Sequence, residues 1–217
     1  MKTVLCYGDS NTHGFDPATL GRYPREVRWT GQLQSLLGSD WYVIEEGLNS
    51  RTTAIDDDCY DDIKNGLTLL PAVLKTHLPV DVLILMLGSN DMKLRFGRNA
   101  ADIARCVGRL VHCAQVTTAE KMGHPCEILL VSPPHIGDRV AELGCGEEFG
   151  SRCIAISHQL AEKYRAVAQK YGVHFLDAAA VTPPSDIDCL HLSPEGHTAM
   201  ARALYAACRA ILEKPEN

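Results

Sequence analysis

Val82-Leu83-Ile84-Leu85-Met86-Leu87, followed at once by Gly88-Ser89-Asn90-Asp91, decides how this chain folds. Six apolar residues in a row are short for a helix and show no alternation. That is the pattern of a parallel strand covered on both faces. The sudden change to small and polar residues marks the strand's end. Ile128–Ser132 is a second continuous run, and Thr3–Tyr7, Trp41–Glu45 and Val173–Leu176 read as three more strands.

Between these runs the apolar period becomes helical. Asn99 with Asp102 reads as a cap, after which Ile103, Val107, Leu110, Val111 and Ala114 form one stripe. Ile156, Leu160, Val167 and Tyr171 form another. Ser193 as cap and Pro194 at the first helical position begin a terminal helix with Met200, Leu204, Ala207 and Ile211 on one face. Trp29–Leu37 and Leu67–His77 also read as helices. Five strands alternating with helices predict a three-layer α/β/α sandwich on a five-stranded parallel sheet, with residues 1–217 as a single domain. In such sheets ligands gather at the carboxyl ends of the strands.

Composition narrows the function. The 217 residues carry a net charge of −6 with Lys and Arg scattered, so no concentrated basic face is expected and a nucleic-acid partner is disfavoured. No run of 18 uncharged apolar residues occurs, so no membrane span is predicted. Only six residues separate Lys2 from Asp9, too few for a signal-peptide core, and a cytoplasmic location is the expectation. The nine cysteines include no CxxC pair, which removes the usual zinc and redox signatures and leaves most of them as small core residues. Cys189 stands apart because it falls between two polar residues of interest.

The strand ends carry those residues. Gly8-Asp9-Ser10 follows the first strand, Glu45 to Thr53 the second, Gly88 to Asp91 the third, and Asp188-Cys189-Leu190-His191 precedes the last helix. Each alone reads as a turn or cap. On one rim they supply a hydroxyl, an imidazole, a carboxylate and an amide, the parts that acyl transfer needs. A serine hydroxyl needs a base to accept its proton, and histidine suits that role near neutrality. Asp188, three residues before His191, can reach its Nδ1. The backbone N–H groups of Ser10 and Ser50 and the Asn90 side chain are the candidate oxyanion donors.

The blocks Gly8-Asp9-Ser10, Gly47 to Ser50, Gly88 to Asp91 and Asp188 to His191 resemble those of the SGNH (GDSL-type) hydrolases, over essentially the whole chain. Arg28 to Gly31, Glu45 to Thr53 and Ile84 to Asp91 look most like the bacterial arylesterase/acyltransferase subgroup. The resemblance implies a flavodoxin-like fold and a serine esterase that acts on a small, short acyl ester. It also implies acyl transfer to alcohols or peroxide, no cofactor, and assembly into homo-oligomers. It makes Ser10 the nucleophile, His191 the base, Asp188 its orienter and Asn90 an oxyanion donor. The family's second-block glycine falls on Ser50, where a side chain would narrow the pocket or restrict the loop dihedral. Asn11 stands where the subgroup often has an apolar residue, and with Phe149 and Leu190 it is a candidate lining of the substrate pocket.

Other features receive plainer readings. No GxSxG occurs, so the nucleophile elbow of α/β-hydrolases is absent. Neither a P-loop nor a carboxylate cluster at strand ends supports phosphoryl transfer, and a non-catalytic ligand-binding protein on the same fold is the alternative from another class. His197 is expected to be a packed or surface histidine, and no metal site is expected because His191 and His197 lack i, i+4 spacing. Asp56, Asp57, Asp58, Asp61 and Asp62 could suggest a cation but read as a solvated loop. Gly144 to Gly150 reads either as a lid placing Phe149 over an acyl pocket or as a long surface loop. Trp29 is expected to pack in the core or an interface.

Overall fold

The sheet's apolar positions are explained by a simple alternation across two layers of helices. In the computed structural model, which describes residues 1–212, the chain runs β1 (Lys2–Gly8), α1 (Ser10–His13), β2 (Phe15–Asp16), β3 (Gly21–Arg22), α2 (Trp29–Leu37) and β4 (Trp41–Gly47). It continues through α3 (Gly66–His77), β5 (Val82–Met86), α4 (Ala100–Met122), β6 (Glu127–Ser132), α5 (Gly146–Phe149), α6 (Arg152–Tyr171), β7 (His174–Asp177) and α7 (Pro194–Leu212).

Five strands form one parallel sheet in the order β4-β1-β5-β6-β7. Successive side chains of a strand point to opposite faces. Leu5, Tyr7, Leu83, Leu85 and Leu130 therefore pack with Leu70, Val107, Leu110, Leu160 and Tyr164 from α3, α4 and α6. Val4, Cys6, Val82, Ile84, Leu129 and Val131 pack with Trp29, Leu33, Met200 and Leu204 from α2 and α7. Burial on both faces is why Val82–Met86 is apolar throughout. The five predicted strands and the three-layer sandwich are present, with strand ends displaced by one or two residues.

Both predicted caps form. Asn99 and Asp102 make a reciprocal capping box at the start of α4, and Ser193 Oγ accepts the N–H of Gly196 at 3.1 Å in the first turn of α7. β2 and β3 pair as a two-stranded antiparallel ribbon that leaves no signal in the sequence, because strands of two residues are too short to show a period. The described helices include none long and apolar enough to cross a membrane.

Topology places the site. From β1 the chain moves to β4 on one side of it, then returns to β5 on the other. Loops leaving in opposite directions open a crevice at the carboxyl end of β1, the position ligands favour in open α/β sheets. Ser10 is the second residue beyond that strand.

Candidate active site

Close backbone packing shapes the turn that carries Ser10. A Cβ on Gly8 would stand 2.0 Å from Thr12 Oγ1 and 2.7 Å from the Met86 carbonyl, so no side chain fits there. Asp9 Oδ1 accepts the N–H of Asn11 at 3.0 Å and caps α1. Ser10 is thereby the first residue of a short helix, where backbone N–H groups have no intrahelical partner. Gly47, at the end of β4, lies so near α1 that a Cβ would meet the His13 nitrogen at 2.1 Å.

The loop after β4 forms the next wall. Ser50 adopts φ +64°, the left-handed region that a glycine enters freely. Its hydroxyl donates to Tyr60 Oη at 2.8 Å. The expected effect of replacing a glycine is thus visible in the dihedral, and Ser50 also lines the cavity described below. Arg51 is buried with its guanidinium 4.1 Å from the centre of the Tyr7 ring, and its Nη1 donates to the carbonyls of Gly8, at 2.9 Å, and Glu46. Asn90 Nδ2 donates to the Arg51 carbonyl at 3.1 Å. A primary amide has two hydrogens, so this bond orients the group and leaves one for a ligand. Gly88, at φ +125°, passes under Tyr164, whose Oη donates to the Leu87 carbonyl at 2.7 Å.

Opposite stands the loop before α7. Asp188 Oδ1 accepts the N–H groups of Leu190 at 3.0 Å and His191 at 2.9 Å. Its Oδ2 lies 2.5 Å from His191 Nδ1, and His191 Nε2 lies 2.8 Å from Ser10 Oγ. Between the two, Cys189 takes φ +59°, with its carbonyl accepting from Gly137 N–H at 2.8 Å. Burial acts to raise the Asp188 carboxyl, but the His191 ring and the two backbone N–H groups outweigh it and hold the pKa below the usual value. A carboxylate accepting at Nδ1 selects the tautomer with Nε2 unprotonated, ready to take a proton from Ser10 Oγ. The Phe15 ring lies 4.5 Å from the His191 ring, centre to centre.

A cavity of about 210 Å³ opens in front of this line. Ser10, Ser50, Asn90, Phe149, Leu190 and His191 all border it, so the candidates drawn from five separate segments of the chain come together. Phe149 belongs to α5 and is buried, which gives the Gly144 to Gly150 segment a helical turn over the cavity rather than a plain surface loop. Asn11 is a correction: it does not border the cavity. Its side chain turns away to the His191 loop, where Oδ1 accepts Leu192 N–H at 2.9 Å and Nδ2 donates to the Leu190 carbonyl at 3.4 Å. Phe15, Asn49, Lys93, Cys145 and Glu148 border it unforeseen.

His197, Trp29 and the aspartate run stand apart from the Ser10–His191 line. His197 is fully buried, its Nδ1 accepts the Trp29 N–H at 3.3 Å, and burial first, then the charges of Arg28 and His191, push its pKa down to about 4. Trp29 packs in the core and donates Nε1 to the Asn11 carbonyl at 2.9 Å. The aspartate run is only partly solvated: Asp57 is buried and holds Arg95 through both oxygens, at 3.0 and 2.7 Å. No group of three or more His, Cys, Asp or Glu among the described residues is arranged to hold a metal ion.

Fold and rim together define a class, a hydrolase of acyl esters built on a parallel α/β/α sheet. Residues 6–199 match the GDSL-like Lipase/Acylhydrolase family, and the chain belongs to it. Among solved structures, a carbohydrate acetylesterase family member from Sinorhizobium meliloti is 40% identical, with a TM-score of 0.90 over 99% of this chain and 100% of that one. The inhibitor-bound aryl esterase of M. smegmatis is 36% identical, with a TM-score of 0.89 over 98% of this chain and 100% of that one. Est24, a carbohydrate acetylesterase from Sinorhizobium meliloti, is 37% identical with a TM-score of 0.87 over the same shares. Comparison with curated protein sequences gives no match.

Proposed function

We propose that this chain is a serine esterase for short acyl esters, acetyl esters above all, with Ser10 as nucleophile, His191 as general base and acid, and Asp188 as the group that orients His191. The observation that carries the reading is the 2.8 Å contact of Ser10 Oγ with His191 Nε2, with Asp188 on the other ring nitrogen. Ser10 Oγ attacks the acyl carbon while its proton passes to Nε2. The oxyanion forms against the N–H groups of Ser10 and Ser50 and the Asn90 amide. Collapse breaks the bond to the alcohol oxygen, which leaves with the proton from Nε2, and the acyl group remains on Ser10. Water then attacks through the same relay and releases the acid; an alcohol or peroxide in its place carries the acyl group away.

Size supports the short acyl group. A cavity near 210 Å³ lies below the roughly 300 Å³ at which drug-sized ligands begin to fit. The neighbours described as acetylesterases and as an aryl esterase point the same way.

Hydrolysis of p-nitrophenyl acetate tests the reading. Ser10→Ala should lower kcat by roughly three orders of magnitude or more. An unchanged rate in that variant overturns the assignment. An organophosphonate should label Ser10 in the wild type, and failure to label favours a ligand-binding protein without an activated hydroxyl.

A further inference from the structure

One end of the cavity is charged, which an apolar acyl chain does not require. Lys93 borders it with a side chain only 2% exposed. A buried ammonium is costly unless it is paired and hydrogen-bonded. Lys93 Nζ lies 3.1 Å from Glu148 Oε2 and donates to Tyr60 Oη at 3.3 Å. An ammonium has three donors, so two are engaged by these partners and one remains for an acceptor in the cavity. Glu148 in turn shares its other oxygen with Arg95, at 3.0 Å.

The position of Lys93 relative to the relay assigns it a part of the substrate. The departing alcohol must lie within reach of His191 Nε2, beside the Phe15 ring that packs against the imidazole at 4.5 Å. Lys93 is three residues beyond Asn90, its N–H bonded to the Asn90 carbonyl at 3.2 Å. With Glu148, and with its ammonium 5.9 Å from the centre of the Phe149 ring, it lines the cavity from segments other than those that carry His191 and Phe15, which leaves that side to the acyl substituent. Asn49, on the same cavity, has Oδ1 buried with no hydrogen-bond partner among the described residues. The lining therefore offers both a donor and an acceptor, and a hydroxyl answers to either.

We propose that Lys93 is a specificity-determining residue that selects short acyl groups bearing a hydroxyl over aliphatic acyl groups of the same size, with Glu148 holding the ammonium in place and turning away acyl groups that end in a carboxylate. This rests on the esterase reading above, and the two can fail separately.

Phenyl propanoate and phenyl glycolate differ by one methyl against one hydroxyl, so their kcat/KM ratio isolates the acyl substituent. Comparing that ratio between wild type and Lys93→Met cancels the intrinsic reactivity of the two esters. The glycolate preference should fall roughly tenfold in Lys93→Met, the scale of a hydrogen bond to a charged group. A ratio within twofold of wild type overturns the proposal. Glu148→Gln gives an independent reading should Lys93→Met fail to fold: hydrolysis of a hemisuccinate phenyl ester relative to the propanoate should rise roughly tenfold. No rise would show that the ammonium does not face the acyl group. Absence of phenyl acetate hydrolysis by the wild type would instead refute the esterase reading itself.

Discussion

Asn11 Oδ1 accepts the backbone N–H of Leu192 at 2.9 Å, joining positions 181 residues apart in the chain. Ser10 precedes the first of these residues and His191 precedes the second, so the bond fixes the distance between hydroxyl and imidazole. The Asn11 amide also reaches the Leu190 carbonyl, which gives the clamp two points on either side of His191. Asn11→Leu would leave a buried N–H and carbonyl without partners, at about 1–3 kcal/mol of stability. Its kcat for p-nitrophenyl acetate should fall about tenfold or more, with KM changed less than threefold, since a small displacement of the base acts on the chemical step. A variant that loses stability but keeps kcat would make Asn11 a purely structural tie.

Three buried groups beneath the site titrate in one pH window with opposite signs. Burial pushes the Asp9 and Asp91 carboxyls up to about 6, against about 4 in an unfolded chain. Between those values the folded chain holds the extra protons, so this contribution to stability is lost as pH rises. His197, pushed down to about 4 by burial, ionises near 6.5 when unfolded. There the unfolded chain holds the extra proton, and stability is lost as pH falls below about 6.5. Removing one side should expose the other. Between about pH 4.5 and 6.5, Tm should climb more steeply with pH in Asp9→Asn than in wild type. It should flatten or decline in His197→Asn, which keeps an acceptor for the Trp29 N–H. Parallel Tm curves for the three proteins would show that these groups do not set the profile.

The sheet and its long helices are legible in the sequence because burial imposes a period, and Val82–Met86 shows this most clearly. The hydrogen-bonded line of Ser10, His191 and Asp188 is legible for a different reason. Ser10, Asp188 and His191 carry their chemistry in residue type, and each sits where a strand or helix must end. What sequence conceals is a partner without a signature. Asn11 bonds only to backbone groups of Leu190 and Leu192, which any residues there would present, so its side chain reads as free to line a pocket. Lys93 and Glu148 meet across two separate loops, and Phe15 reaches His191 from a two-residue strand. No periodicity announces such contacts.

Ser50 tests the strain in the loop after β4. A non-glycine residue at φ +64° stores about 1–3 kcal/mol, and a β-branched side chain tolerates that region least. Ser50→Val should therefore lower stability in urea by about 1–3 kcal/mol. Ser50→Gly relieves the strain but adds freedom to the unfolded chain, so its stability should stay within about 1 kcal/mol of wild type. Equal losses in both variants would trace the effect to the missing hydroxyl bond with Tyr60 instead of the dihedral.

The aspartate run between Asp56 and Asp62 gives a last expectation, because one member is unlike the rest. The Asp57 side chain is 1% exposed and meets Arg95 at 2.7 and 3.0 Å, while Arg95 also reaches Glu148 on α5. Arg95→Met would leave a carboxylate buried without its cation, which destabilises by about 3 kcal/mol. Adding Asp57→Asn removes the stranded charge, so the double variant should recover at least half of that loss, a coupling readable by a double-mutant cycle in urea. Were Asp57 as solvated as its neighbours in the run, Arg95→Met would cost no more than about 0.5 kcal/mol, and Asp57→Asn would give nothing back.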